Sequence, residues 1–215
     1  MLKSLLSLSC IIVFSIFIIY SANIDYMLST LSYNQLLHSF YGETHLWCRV
    51  AYNLIPVIVI MIISLSILAL IFSKSLPYNL KTTRKFTIIL LVSLFLSCGL
   101  ITNIILKGNW GRPRPYQVLR DHKKFRPVYA PNFGAITDNS FPSGHASIGF
   151  FLGVPFLILG RRRQGLIISI FCGFFIGLVR MLQGGHYFTD VIFSGIIVWS
   201  VAEFVIYLFN KFIRK

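Results

Sequence analysis

The sequence predicts an all-α polytopic membrane protein with six transmembrane helices, and three observations carry that expectation. Hydrophobic residues fill 56% of the 215 positions, more than one or two soluble cores of this length need, so the excess should face lipid. The apolar residues gather into six stretches, most of them close to the ~20 residues that cross a hydrocarbon core. Of the 20 Lys and Arg, all but Arg180 fall in the connections between those stretches or at the termini rather than along one amphipathic face. That placement fits membrane orientation and an anionic substrate, and speaks against a nucleic-acid partner.

The stretches are Leu5–Ala22, Tyr52–Phe72, Phe86–Leu106, Ala146–Gly160, Gly165–Leu182 and Phe188–Phe209. The first follows Lys3 as a secretory signal would, but it is longer than a usual signal core and Ser21-Ala22-Asn23 is a poor cleavage site, so an uncleaved anchor is expected. Between it and the second, residues 23–51 mix apolar and polar side chains, as one or two interfacial helices or an ordinary loop would. The fourth is short, but it can begin within Ser143-Gly144-His145, where water or a ligand serves the free N–H groups. Cys10, Cys48, Cys98 and Cys172 are scattered and read as packing residues, without zinc-ligand spacing. The chain is expected to form one integral-membrane domain over 1–215, with its catalytic core at about 86–209.

Six spans place both termini on one side. Lys3, the Lys74/Lys81/Arg84/Lys85 loop, Arg161-Arg162-Arg163 and the Lys211/Arg214/Lys215 tail lie on that side with no acid among them. The other side dilutes its cations with Asp25, Glu43, Asp121, Asp138 and Asp190. The positive-inside rule makes both termini cytoplasmic. Glu203, deep in the sixth stretch, reads as a snorkelling or hydrogen-bonded residue.

Three motifs then fall together on the outer, periplasmic face: Lys107 with Arg114-Pro115, Pro142-Ser143-Gly144-His145, and Arg180 with His186 and Asp190. His186 and Asp190 are four apart, so on a helix the carboxylate can fix the imidazole tautomer and leave one nitrogen free as a nucleophile. The same pair could equally be a structural hydrogen bond. Ser143 and Gly144 precede His145 at a probable helix start, where free N–H groups favour a phosphate and His145 is placed to give a proton to a leaving oxygen. Read alone, this is also a turn followed by an N-cap. Lys107, Arg114 and Arg180 supply the cations that a phosphoryl transition state needs. Arg180 needs an anion near it, and Asp190 could serve both it and His186.

Lys107-x6-Arg114-Pro115, Pro142-Ser143-Gly144-His145 and Arg180-x5-His186-x3-Asp190 resemble the three signature motifs of the type-2 phosphatidic acid phosphatase superfamily, the lipid phosphate phosphatases. The resemblance covers Lys107 to Asp190. It implies that His186 attacks phosphorus to form a phosphohistidine, that Asp190 orients it, and that His145 is the general acid. It further implies that Lys107, Arg114, Ser143, Gly144 and Arg180 hold the phosphate oxygens, with no metal and no other cofactor. The outer loops agree, because they lack the carboxylate cluster of a Mg²⁺ site. Val179 departs from the family pattern, which often has Ser before the third-motif Arg.

The segment 116–141 is long and carries Arg120, Lys123, Lys124 and Arg126 among aromatic residues, which suggests a lid. With Arg112 these are candidate headgroup-binding residues. The expected partners are the bilayer and a phosphorylated envelope lipid; lipid A or a relative suits the number of cations best. Motif identity does not separate lipid A, undecaprenyl pyrophosphate and phosphatidylglycerophosphate phosphatases. A lipid phosphotransferase and a non-catalytic lipid-binding protein are the rivals, and the vanadate-dependent haloperoxidases share the motif pattern but not the membrane content.

Overall fold

The computed structural model describes residue 18 and residues 20–72, 80–135 and 137–212. Most of the stretch Leu5–Ala22 therefore lies outside the described residues, as do Lys3, Lys74, Arg214 and Lys215. The regular elements of the described chain are helices apart from one two-stranded hairpin, and residues 120–135 and 137–143 are irregular. Four of its helices are long and apolar enough to cross a membrane. These are α3 (Leu46–Ile71), the run Thr83–Leu106, α8 (Arg162–Leu182) and α9 (Phe188–Phe212).

Ahead of them, α1 covers 20–31 and is followed by β1 (Tyr33–Asn34) and β2 (Ser39–Phe40), paired antiparallel with Tyr33 opposite Phe40. Then come α2 (Tyr41–Thr44) and the first turns of α3. Residues 23–51, expected as one or two interfacial helices or a loop, divide among α1, the hairpin, α2 and the first turns of α3. Phe40 is fully buried and packs against Gly184, whose φ of +65° and close approach to the ring leave no room for a side chain. The hairpin and α2 thus dock on the turn between α8 and α9. Glu43 holds the start of α2 by accepting a hydrogen bond from Phe40 N–H at 3.1 Å.

The run from Thr83 comprises α4 (Leu80–Leu94) and a π-helical segment, Phe95–Leu106, wound with i→i+5 bonds and closed by Lys107 N–H to the Thr102 carbonyl at 3.1 Å. Wider winding of this kind is frequent at functional sites. Here it delivers Lys107 to the end of the bundle. Only 11% of the most apolar window of α3 is buried among the described residues.

The stretch expected as a fourth span is broken into α6 (Gly144–Phe151) and α7 (Val154–Ile158). Pro155 has no N–H to continue the helix. Ser169 Oγ donates to the Phe150 carbonyl at 2.6 Å, satisfying a group beside the break. Both pieces lie inside the bundle against α8 and α9. Close contact depends on small residues, the usual device for helices packed within lipid. The Phe150 ring sits where a Cβ on Gly173 or Gly195 would stand, and Gly153 meets the Gly165 carbonyl and Ser169. At the far end, Glu203 pairs with Arg162 and Lys85 donates to Asn210 at 2.9 Å.

A Cβ at Gly153 would stand 2.1 Å from the Gly165 carbonyl oxygen, whereas one at Gly99 has no neighbour closer than 3.7 Å. Gly153→Ala should destabilise the protein by about 1–3 kcal/mol, read as a lower melting midpoint in detergent. Gly99→Ala should melt like the parent.

Candidate active site

The three motifs meet at one end of the bundle. The π-helical segment brings Lys107, α5 (Pro115–Leu119) begins just after Arg114, α6 starts at Gly144, and Arg180 and His186 flank the turn from α8 to α9. Backbone bonds join them: Tyr116 N–H donates to the Gly184 carbonyl at 3.0 Å, and Ser143 N–H to Ser194 Oγ at 2.9 Å.

Ser143 Oγ accepts from Ala146 N–H at 3.3 Å and so acts as the N-cap of α6. Its hydroxyl is fully buried in that role, while the N–H groups of Gly144 and His145, in the first turn, have no intrahelical acceptor. Gly144 also lets Asn103 come close, since Asn103 Oδ1 lies 2.6 Å from where a Cβ would be. Both readings of the Pro-Ser-Gly-His sequence therefore have a place: the serine side chain caps, and the following backbone offers donors.

Tyr52, on α3, links the second and third motifs. The His145 ring stacks on it at 4.3 Å and the Arg180 guanidinium lies 4.7 Å from its centroid. Arg180 Nη1 donates to Gln183 Oε1 at 2.5 Å, and the guanidinium occupies the space a Cβ on Gly185 would take. Among the described residues, His145 Nε2 and Arg180 Nε have no hydrogen-bond partner. Lys107, Arg114 and Arg180 have no carboxylate partner there either. Arg114 is steered by Asn139, its Nε donating to Oδ1 at 3.0 Å. Unpaired cations and buried orphan donors at one place form a cradle for an anion. Burial, followed by Arg114 and Arg180, pulls Lys107 down to about 8.

His186 is buried, and its Nδ1 donates to the Ser140 carbonyl at 2.6 Å. That bond fixes the tautomer and leaves Nε2 with the lone pair. Burial pushes His186 down to about 3; Asp190 opposes the shift, and Arg180 and Lys107 add to it. The ring is therefore neutral over the whole physiological range.

Here the expected geometry needs correction. Asp190 lies 3.6 Å from His186 Nδ1, outside hydrogen-bond range, and does not pair with Arg180. Its Oδ1 accepts from Arg112 Nη1 at 2.5 Å, and its Oδ2 from Ser140 Oγ at 2.6 Å and Tyr187 N–H at 2.9 Å. Asp190 thus reaches His186 through Ser140. The i, i+4 rule fails because His186 and Tyr187 precede α9, which starts at Phe188.

Arg112 is likewise not a surface cation. It is 1% exposed, donating also to Asp25 Oδ2 at 2.7 Å, Thr189 Oγ1 at 2.8 Å and the Arg126 carbonyl at 3.0 Å, with Tyr187 beneath it at 4.2 Å. Burial works against its charge, yet Asp190 and Asp25 raise its pKa above the ordinary value. Lys123 is paired with Asp138, and Arg120 leans on Glu43 and Asp121 at 3.3 and 3.4 Å. Lys124 is exposed. The segment expected as a lid is pinned alongside the site by Trp110 Nε1, which donates to the Val128 carbonyl at 2.9 Å. Of the residues that sequence reasoning missed, Ser140 borders the second motif and Asp25 is a carboxylate beside an apolar stretch. Tyr52 carried no signal.

Comparison with known proteins adds the family. A family model described as the PAP2 superfamily matches residues 86–214. The chain belongs to the PAP2 superfamily. A lipid A 4'-phosphatase of Francisella tularensis subsp. novicida (strain U112) is 32% identical to this PAP2 protein over 204 residues, 89% of this chain and 88% of that one. A lipid A 1-phosphatase of Rhizobium johnstonii is 37% identical over 95 residues, 44% of this chain and 36% of that protein. Its counterpart in Rhizobium etli is 36% identical over 95 residues, 44% of this chain and 38% of that protein. No solved structure gives a significant match.

The depressed pKa of Lys107 means that its charge is full below about 8 and lost as pH rises through that value. Binding of inorganic phosphate to the PAP2 site, followed by calorimetry in detergent, should weaken by about tenfold between pH 7 and pH 9.5, the worth of one charge-assisted contact. Lys107→Arg should flatten that dependence.

Proposed function

We propose that this PAP2 protein is a metal-independent lipid phosphatase that hydrolyses a phosphate ester of lipid A, or of a related envelope lipid, through a phosphohistidine on His186. It forms one membrane domain over 1–215 in the bacterial inner membrane, with six spans, cytoplasmic termini and a periplasmic site. The similarity to lipid A phosphatases supports the substrate class, and the asymmetric charge of the connecting loops supports the orientation.

The observation that carries the proposal is the juxtaposition of two unlike spaces. A cavity of about 640 Å³ runs between α3 and the Thr83–Leu106 helix, lined by Ile55, Val59, Ile60, Leu94 and Cys98, and ends at Lys107, Gly144 and His145. A second, of about 320 Å³, is lined by Arg49, Tyr52, Arg114, Tyr116, Arg120 and Arg180. An amphiphile with an acyl chain in the first and an anionic headgroup at the second places its phosphate between them. The headgroup role proposed from sequence then rests on Arg120, with Arg49 joining it and Lys124 and Arg126 at the periphery, while Arg112 stays inside.

In the reaction, Nε2 of His186 attacks phosphorus as the bond to the lipid oxygen breaks, and His145 gives that oxygen its proton. Burial first, and then Arg180, Lys107 and Arg114, hold the His145 pKa down, so it takes up the proton once a phosphate dianion has entered among those cations. Those cations and the N–H groups of Gly144 and His145 hold the phosphoryl oxygens. A water then gives a proton to His145 and its oxygen to phosphorus, the N–P bond breaks, and inorganic phosphate leaves. The three cations supply the charge stabilisation for which a metal would otherwise serve, and both oxygens of Asp190 are committed to Arg112, Ser140 and Tyr187.

Purified protein in detergent should release phosphate from lipid A faster than from undecaprenyl pyrophosphate, phosphatidylglycerophosphate or phosphatidic acid, and should do so in EDTA. His186→Ala should lower release by at least a thousandfold while the protein remains folded. Turnover in that variant would exclude the nucleophile, and phosphate loss only with an acceptor lipid present would make the protein a phosphotransferase. Val59→Trp, which fills the apolar cavity, should raise KM about tenfold for a long-chain lipid substrate and leave a short, water-soluble phosphate ester unaffected.

A further inference from the structure

The geometry points to Asp25 as a positioning residue for the reaction: from α1 it sets Asp190, and through it Ser140 and His186, by way of Arg112 and Thr189. This role rests on the assignment of His186 as nucleophile and goes beyond it, because Asp25 lies outside residues 86–214, which the PAP2 family model matches.

Asp25 is fully buried, and the described hydrogen bonds of its carboxylate all lead towards the catalytic turn. Its Oδ1 accepts from Thr189 N–H at 2.9 Å, and its Oδ2 from Thr189 Oγ1 at 2.6 Å and Arg112 Nη2 at 2.7 Å. Thr189 N–H belongs to the first turn of α9 and has no intrahelical acceptor, so a carboxylate there both satisfies it and matches the helix dipole. The next residue is Asp190. Arg112 holds Asp25 with one terminal nitrogen and Asp190 with the other, in the fixed plane of the guanidinium. Asp190 then holds Ser140 Oγ, and the Ser140 carbonyl holds His186 Nδ1. Ser140 is fixed from a second side by its N–H, which donates to the Arg112 carbonyl at 2.9 Å.

Charge follows the same route. Burial raises the pKa of Asp25 against the opposing pull of Arg112, but its two oxygens act as acceptors in all three of their described hydrogen bonds, and as a carboxylate it leaves, with Asp190, one negative charge in excess around the Arg112 guanidinium. The imidazole gains a positive charge when Nε2 bonds to phosphorus, and the excess negative charge favours that state. In the resting protein the same ring is neutral and gains little. The contribution is therefore made in the transition state and appears in kcat. Lys107, Arg114 and Arg180 hold the phosphate itself and none of them touches Asp25, so KM should change little.

The test is Asp25→Asn in the full-length protein, beside wild type. Steady-state kinetics would use whichever of lipid A, phosphatidylglycerophosphate, undecaprenyl pyrophosphate and phosphatidic acid the wild type hydrolyses fastest. Asparagine keeps the shape and an acceptor for Thr189 and removes the charge. The expected result is a kcat at least tenfold lower with KM within twofold. A kcat within twofold of wild type, or a loss carried by KM alone, overturns the role. If Asp25→Asn does not give folded protein, Thr189→Val decides on the same readout, since it cuts the hydroxyl link and leaves every charge in place. A kcat at least threefold lower supports the role, and an unchanged kcat overturns it. Wild-type protein silent on all four lipids would remove the phosphatase reading and this role with it, whereas an active wild type matched by its variants removes this role alone.

Discussion

The buried guanidinium of Arg112 is the point on which the rest of the site depends. A charge with 1% exposure survives only if its donors are met, and four of the five are, by Asp25, Thr189, Asp190 and the Arg126 carbonyl. Such a network adds little net stability over an apolar core, but breaking it at one partner leaves an uncompensated charge and costs about 3–5 kcal/mol. What it supplies is uniqueness. One side chain fixes α1, the 116–141 segment and the start of α9 relative to one another, and these surround His186.

Around that saturated centre stands its electrostatic opposite. Among the described residues Lys107, Arg114 and Arg180 have no carboxylate partner, and His145 and Arg180, each with a buried atom lacking a hydrogen bond, both lie against Tyr52. Burial first, and then the neighbouring Arg114 and Arg180, depress the pKa of Lys107, as expected where cations crowd together without an anion. Negative charge is kept on the inner side of His186 and positive charge on the outer. That polarity suits the nucleophilic role proposed for His186, in which the ring is neutral before attack and cationic after it.

The packing of the bundle serves the same end. Helices that approach through glycine leave little void, so α6 can be driven into the bundle with its first turn at the cradle. The break after Phe151 keeps α6 short and rigid, and Ser169 removes the cost of the freed carbonyl. The apolar cavity is lined by α3 and the Thr83–Leu106 helix and reaches Lys107, Gly144 and His145, so the cradle borders an apolar space.

Four long apolar helices were legible in the sequence, because hydropathy over ~20 residues is a local property that lipid rewards directly. Their boundaries moved outward by a few residues, as in α3, which begins at Leu46 rather than Tyr52. The three motifs were legible as groups of Lys, Arg, His and Gly, and the structure brings them to one end of the bundle. The sequence by itself could not decide who pairs with whom. The i, i+4 spacing of His186 and Asp190 suggested a direct bond, but the helix starts two residues after the histidine, and the carboxylate turns to Arg112 and Ser140 instead. Arg112 read as a surface cation because nothing local reveals that Asp25, 87 residues earlier, will meet it. Tyr52 joined the site only through α3 packing. Identity and chemistry are written locally; the partner of a buried charge is a long-range contact, and only the assembled bundle decides it.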